Sequence, residues 1–127
     1  MAEKRPWIAN SIQTGAFKTN YHDLGEGFPV VLLHGSGPGV TAWANWNKVF
    51  PLLKDDFRVI APDMVGFGFT ERPENPVFNM NVWVQQTIDL FDALGIEKAN
   101  LVGNSFGGAL ALTMAIKYPE RVNRLVL

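Results

Sequence analysis

Leu101-Val102-Gly103-Asn104-Ser105-Phe106-Gly107-Gly108 is the stretch whose reading decides the fold. Residues 99–102 have the apolar character of a buried strand, residues 106–118 that of a helix, and Gly-x-Ser-x-Gly lies at the junction. A serine on a sharp strand-to-helix turn carries its hydroxyl out above the end of a sheet, and the flanking glycines let neighbouring backbone come close. Such a serine can attack a carbonyl. The same five letters also occur in ordinary turns, so the flanking strand and helix are what favour a nucleophile over a loop.

Toward the N-terminus, Pro29-Val30-Val31-Leu32-Leu33 is a continuous apolar run, the pattern of a strand buried on both faces. It enters His34-Gly35-Ser36-Gly37-Pro38-Gly39, which is too rich in glycine for helix or strand. Residues 11–14 and 17–22, separated by Gly15, fit an antiparallel pair at a sheet edge. Trp46, Val49, Phe50 and Leu53 predict one apolar helical face over 43–53, ended early or broken by Pro51. Residues 57–61 are the next strand, closed by Pro62-Asp63. Residues 64–76 then form a long irregular loop, of a kind usually functional or mobile. Asn81 is the expected N-cap of a helix with Val84, Ile88, Phe91 and Leu94 as its core stripe, and Gly95 ends it. The 106–118 helix is apolar almost all round and is expected to be fully buried, before a last strand at 122–127. This order predicts an α/β fold: a mostly parallel sheet with an antiparallel N-terminal edge pair and helices on both faces.

A chain of 127 residues has room for one domain, and its net charge of -1 with scattered basic residues leaves no footprint for nucleic acid or an anionic membrane. The absence of cysteine excludes disulfides, thiolate nucleophiles and Cys-based zinc sites, and points to the cytoplasm. Glu3, Lys4 and Arg5 are not followed by the apolar core of a signal peptide. The chain stops at Arg124-Leu125-Val126-Leu127, inside what reads as a strand, so residues 1–127 are expected to be the N-terminal portion of a longer domain.

In an α/β sheet, loops at the carboxyl ends of the central strands converge, so the loop after Leu33 and the turn after Val102 can meet. The amides of Ser36 and Phe106 would then face a carbonyl oxygen held over Ser105, each donor worth about 3 kcal/mol to the transition state. His34-Gly35-Ser36-Gly37-Pro38-Gly39, Ala61-Pro62-Asp63-Met64-Val65-Gly66-Phe67-Gly68 and Gly103-Asn104-Ser105-Phe106-Gly107-Gly108 resemble, in order and spacing, the α/β-hydrolase fold. In detail they are similar to the meta-cleavage-product hydrolases, the carbon-carbon bond hydrolases of bacterial aromatic degradation, and especially those acting on 2-hydroxymuconic semialdehyde and its alkyl-substituted relatives. The resemblance runs from about Gly15 onward. Its elbow is shared with many esterases and peptidases, whereas Gly-Ser-Gly-Pro-Gly with Asn45 and the Gly-Asn-Ser-Phe elbow is narrower.

The resemblance implies Ser105 as nucleophile and the amides of Ser36 and Phe106 as oxyanion hole. It implies Gly35, Gly37, Asn45 and Asn104 around the dienoate end of a small-molecule substrate, with no metal or organic cofactor. The enol substrate would be ketonised, attacked at the carbonyl beside the scissile bond, and released as a 2-hydroxypentadienoate-type product. A homo-oligomer is compatible with the sequence and not specified by it. The family's triad acid and histidine lie on later strands, beyond Leu127.

Each residue also has a plainer reading. His22 reads as a solvated edge-strand residue and Asp63 as a turn cap, and the resemblance implies that His34, closing a central strand, shapes the oxyanion loop, so none is expected to be the base. Asn45 is as well explained by capping the helix near Trp46. Phe67 and Phe69 either line a pocket or pack, and Trp43, Trp46 and Trp83 read as core. The glycine loop lacks the P-loop lysine and the dinucleotide spacing, which discounts nucleotide binding. A carboxylesterase and a catalytically inert fragment with a partial binding site stay open as alternatives.

Overall fold

The computed structural model describes residues 6–127, so Glu3, Lys4 and Arg5 lie outside the described residues. Six strands form one sheet in the order β1-β2-β4-β3-β5-β6. They are β1 (Asn10–Thr14), β2 (Phe17–Leu24), β3 (Pro29–Leu33), β4 (Arg58–Pro62), β5 (Ala99–Gly103) and β6 (Val122–Val126). β1 and β2 form the antiparallel edge pair, β2 joins β4 antiparallel, and β4, β3, β5 and β6 run parallel, as the sequence predicts.

The two faces of the sheet carry separate cores because strand side chains alternate. Val30, Leu32, Val59 and Ala61 point to one face, under α1 (Ala42–Trp46) and α2 (Phe50–Leu53). Val31, Leu33, Ile60 and Leu101 point to the other, under α3 (Met80–Ala93) and α4 (Phe106–Lys117). Phe91, Leu90, Leu110 and Met114 are fully buried there, and each such side chain contributes about 1.5–3 kcal/mol relative to exposure. Pairing of Leu33 with Gly103 brings the carboxyl ends of β3 and β5 side by side, which is what places the two loops of interest together.

Four local expectations are corrected. The apolar segment 43–53 is two short helices: Thr41 caps the first through its hydroxyl, and Pro51 lies in the first turn of the second, where its missing N–H costs nothing. The N-cap of α3 is Asn79, not Asn81; the Asn79 side chain accepts from the Val82 amide, while Asn81 accepts from the Lys117 ammonium at 2.6 Å. α4 is not buried all round, because one face meets the sheet and α3 while Leu112 and Ile116 face outward at 44% and 72% exposure. His22 is not solvated: it is 5% exposed, with Trp43 and Phe50 against its ring and its Nε2 without a hydrogen-bond partner.

The buried histidines make stability depend on pH. Burial lowers the pKa of His22, partly opposed by the Asp63 charge and the Trp7 carbonyl, and burial likewise lowers that of His34. Below about pH 6.5 the unfolded chain therefore binds more protons than the folded one, and stability falls with pH until the lowered folded values are reached. Urea midpoints at pH 7.5 and 5.0 should show the folded state weaker at pH 5.0. His22→Leu, which removes an unpartnered buried nitrogen, should reduce that difference; an unchanged difference would contradict this account of His22.

Candidate active site

Ser105 is the one non-glycine residue among those described with a positive φ, at φ 54° and ψ −110°. That conformation costs on the order of 1–3 kcal/mol and persists only where the surroundings impose it. Here they do. A Cβ on Gly107 would collide with the Leu33 carbonyl, and one on Gly103 with the Gly107 carbonyl, so the first turn of α4 lies directly on the ends of β3 and β5. The Asn104 amide donates to the Leu33 carbonyl at 3.1 Å, and the Gly107 and Gly108 amides donate to Asn104 and Ser105 carbonyls. The chain has no room to relax the turn.

The consequence for Ser105 is exposure. Its side chain makes no capping bond to its own helix, although it occupies the N-cap position, and it lies on the surface above β5. The Phe106 amide is in the first helical turn, where geometry supplies no intrahelical acceptor.

The glycine loop is tied to this elbow by one side chain. Asn45 Oδ1 accepts the Gly35 amide at 2.7 Å and the Asn104 Nδ2 at 3.1 Å. Gly35 is buried and Asn45 half-buried, while Ser36, Gly37 and Asn104 are exposed. The structure thus joins Gly35, Asn45 and Asn104 directly and sets Ser36 next in the chain, at the same end of the sheet as Ser105 and Phe106. Asn45 is not the helix cap, a role held by Thr41. Beyond Ser36, the loop borders a cleft of about 400 Å³ whose far wall is Gly66 to Phe69 and Arg72.

His34 is fully buried and fully committed. Its Nε2 accepts the Met64 amide at 2.9 Å, which leaves the proton on Nδ1, donated to the Gly35 carbonyl at 2.6 Å. Neither nitrogen is free to take a proton from Ser105, and burial lowers its pKa as well. His22 is buried under α1 and α2, on the opposite face from α4. Phe67 packs between His34 and Phe106, which answers the question its position raised, whereas Phe69 is exposed and stacks on Trp7. Trp46 is buried, and Trp43 and Trp83 are half-buried; Trp83 meets Phe106 edge-on and donates to the Val65 carbonyl.

Sequence reasoning undervalued Asp63 and overlooked Gln86. Asp63 is fully buried, and its carboxylate accepts from the Ala42 amide, the Phe69 amide and Asn20 Nδ2. Gln86, 2% exposed, accepts from the Val65 amide and donates to Thr19 and the Asp63 carbonyl. The available signal was a polar residue between Val84 and Ile88, inside the apolar stripe of α3. Among the described residues, no group of three or more His, Asp or Glu could hold a metal ion, and no helix is long and apolar enough to cross a membrane.

A strained serine between a β-strand and a helix, tied to a glycine loop on the neighbouring strand, defines the class: residues 29–127 match the alpha/beta hydrolase fold family, and the chain belongs to it. The chain is 56% identical over 125 residues to 2-hydroxymuconate semialdehyde hydrolase of Pseudomonas sp. strain CF600, covering 98% of this chain and 44% of that protein. It is 57% identical over 120 residues to 2-hydroxy-6-oxo-2,4-heptadienoate hydrolase of Pseudomonas putida, covering 94% of this chain and 44% of that protein. The solved meta-cleavage product hydrolase of Pseudomonas fluorescens IP01 superposes with a TM-score of 0.95 at 57% identity, over 97% of this chain and 45% of that one. The chain thus spans less than half the length of these relatives.

Two substitutions test the geometry. Gly107→Ala pushes the first turn of α4 off the end of β3 and should lower stability by several kcal/mol in urea unfolding; a loss under about 0.5 kcal/mol would refute the close approach. Asn45→Ala leaves the buried Gly35 amide unpaired and should cost about 1–3 kcal/mol, with faster Gly35 amide exchange as the local readout.

Proposed function

We propose that this chain is the N-terminal portion of an α/β-hydrolase domain and supplies the nucleophile and oxyanion hole for cleaving a carbon-carbon bond. The substrate is a meta-ring-fission product of the 2-hydroxy-6-oxohexa-2,4-dienoate type, met in the degradation of aromatic compounds. The observation that carries this reading is Ser105: held at a strained positive φ with its hydroxyl unspent, beside a loop latched by Asn45 to Asn104. Similarity at 56–57% to enzymes named for such dienoates supports the substrate class.

In this mechanism Ser105 Oγ attacks the ketone carbon beside the scissile bond of the ketonised substrate. The Ser36 and Phe106 amides stabilise the oxyanion. The carbon-carbon bond then breaks, its electron pair leaving with the dienoate fragment, and water releases the acyl group from Ser105. Asn45 Oδ1 is already occupied by two donors, so Asn45 offers its NH2 to the dienoate end; Asn104 has spent its NH2 on Asn45 and offers its oxygen as an acceptor for the 2-hydroxyl. Gly35 and Gly37 form the backbone wall there. The proton acceptor for Ser105 is neither histidine of this chain, since His34 is doubly bonded and His22 is under the other face. It belongs to the part of the relatives' length outside these residues. We place the reaction in the cytoplasm, with no metal or organic cofactor.

The test uses the protein carrying this chain, completed where needed with the C-terminal part of the CF600 relative. Loss of the dienol absorbance of 2-hydroxy-6-oxohexa-2,4-dienoate should be catalysed, and Ser105→Ala should reduce kcat by roughly 10^4-fold or more. Hydrolysis of simple esters without turnover of the dienoate would move the reading to a carboxylesterase; full activity of Ser105→Ala would remove Ser105 as nucleophile.

A further inference from the structure

The fully buried carboxylate of Asp63 plays no part in the chemistry just described, yet it lies at the root of both loops that flank the site. Its Oδ1 accepts the Ala42 amide at 2.7 Å, in the first turn of α1. Its Oδ2 accepts the Phe69 amide at 2.9 Å and Asn20 Nδ2 at 2.9 Å. Its own amide donates to the Asn20 carbonyl at 2.9 Å, and its carbonyl accepts from Thr70 Oγ1 and Gln86 Nε2. Neither of the ion pairs among the described residues includes it. A buried charge neutralised only by N–H donors holds those donors strictly, because each lost bond leaves charge unsolvated.

Ala42 begins the helix that carries Asn45 one turn later, and Asn45 is the side chain that holds the Gly35 amide. The route from Asp63 to the oxyanion loop is therefore Asp63 Oδ1, Ala42 N–H, the five-residue helix α1, Asn45 Oδ1 and Gly35 N–H. α1 is too short to hold itself in place by helix formation alone. Its Thr41 hydroxyl cap bonds within the same segment, to the Ala44 amide, and so does not tie it to the sheet. Apolar packing of Ala42 and Trp46 seats the helix on β3 and β4, and the Asp63–Ala42 bond adds a polar anchor at its first turn.

We propose that Asp63 is a positioning residue for the oxyanion loop, acting through the first turn of α1 on Asn45 and the Gly35 amide. This rests on the functional reading above only for its consequence in catalysis; the linkage itself belongs to the fold. Asp63→Asn keeps the size of the side chain but can present only one acceptor oxygen. With that oxygen retained by Phe69 and Asn20, the new NH2 meets the Ala42 N–H, donor against donor, and the turn moves.

The experiment follows the Gly35 amide by 1H–15N NMR and hydrogen exchange in the completed protein. Asp63→Asn should shift the Gly35 resonance and speed its exchange about tenfold or more relative to amides in β3. Asn20→Ala, which removes an Oδ2 donor, should lower the melting temperature and leave the Gly35 resonance in place. If Asp63→Asn does not fold, replacing Ala42 by lactic acid removes the N–H facing Oδ1, weakens the Thr41 carbonyl that accepts the Asn45 amide, and should move Gly35 in the same way. In the completed protein, the losses in kcat/KM from Asp63→Asn and Asn45→Ala should be non-additive, the double variant losing no more than about twofold beyond Asn45→Ala alone. That holds for whichever substrate is turned over, dienoate or ester, so failure of the substrate assignment stays separate from failure of the linkage. A Gly35 amide unmoved by the Ala42 ester or by folded Asp63→Asn, or fully additive losses, would overturn the proposal.

Discussion

The backbone contact between the first turn of α4 and the ends of β3 and β5 is the constraint on which the rest of the structure depends. Gly107 lies against the Leu33 and His34 carbonyls so closely that no side chain fits. One helix thereby touches two parallel strands at their carboxyl ends, and Ser105, between strand and helix, is driven to a positive φ. Strain at that residue is the cost of exposing its hydroxyl. The two buried cores on either side of the sheet supply the stability that tolerates it.

Polar groups then decide how the loops above the sheet are held. The region contains a buried carboxylate, two buried histidines and a buried glutamine, and most of their bonds go to backbone amides and carbonyls of the two loops. Such bonds are worth little net when made but leave a large deficit when one partner is removed. They therefore specify loop position more than they add stability. His34 illustrates this: neutral, with both nitrogens used, it locks the Gly35 carbonyl on one side and the Met64 amide on the other. His22 is the contrast, since its Nε2 has no partner and its ring packs against Trp43 and Phe50.

Much of this was legible in the sequence because the decisive signals are local. Runs such as Pro29 to Leu33 announce buried strands, the order of elements announces the mostly parallel sheet, and Gly-x-Ser-x-Gly in its strand-helix setting announces the elbow. What escaped depends on partners far apart in the chain. Asn45 lies in a helix begun by Thr41, and nothing next to it tells that its oxygen meets Gly35 and Asn104 across 10 and 59 residues. His22 was misread because β2, although part of the edge pair, lies between β1 and β4 and is covered on one face by α1. The apolar circumference of α4 suggested full burial, yet Leu112 and Ile116 are exposed. Asn79 took the cap expected of Asn81 because two equally good capping residues stand two positions apart, and local propensity does not choose between them.

Under the proposed function, Ser105, the Ser36 amide and the Phe106 amide form one site for a tetrahedral oxyanion. This is tested most directly by forming a fluorophosphonate adduct on the completed protein and following the backbone amides by 1H–15N NMR. An adduct on Ser105 Oγ is expected, with the Ser36 and Phe106 amide protons shifting downfield together as they bond the phosphonyl oxygen. An adduct on Ser105 that leaves both amides unmoved, or modification of a different residue, would contradict it.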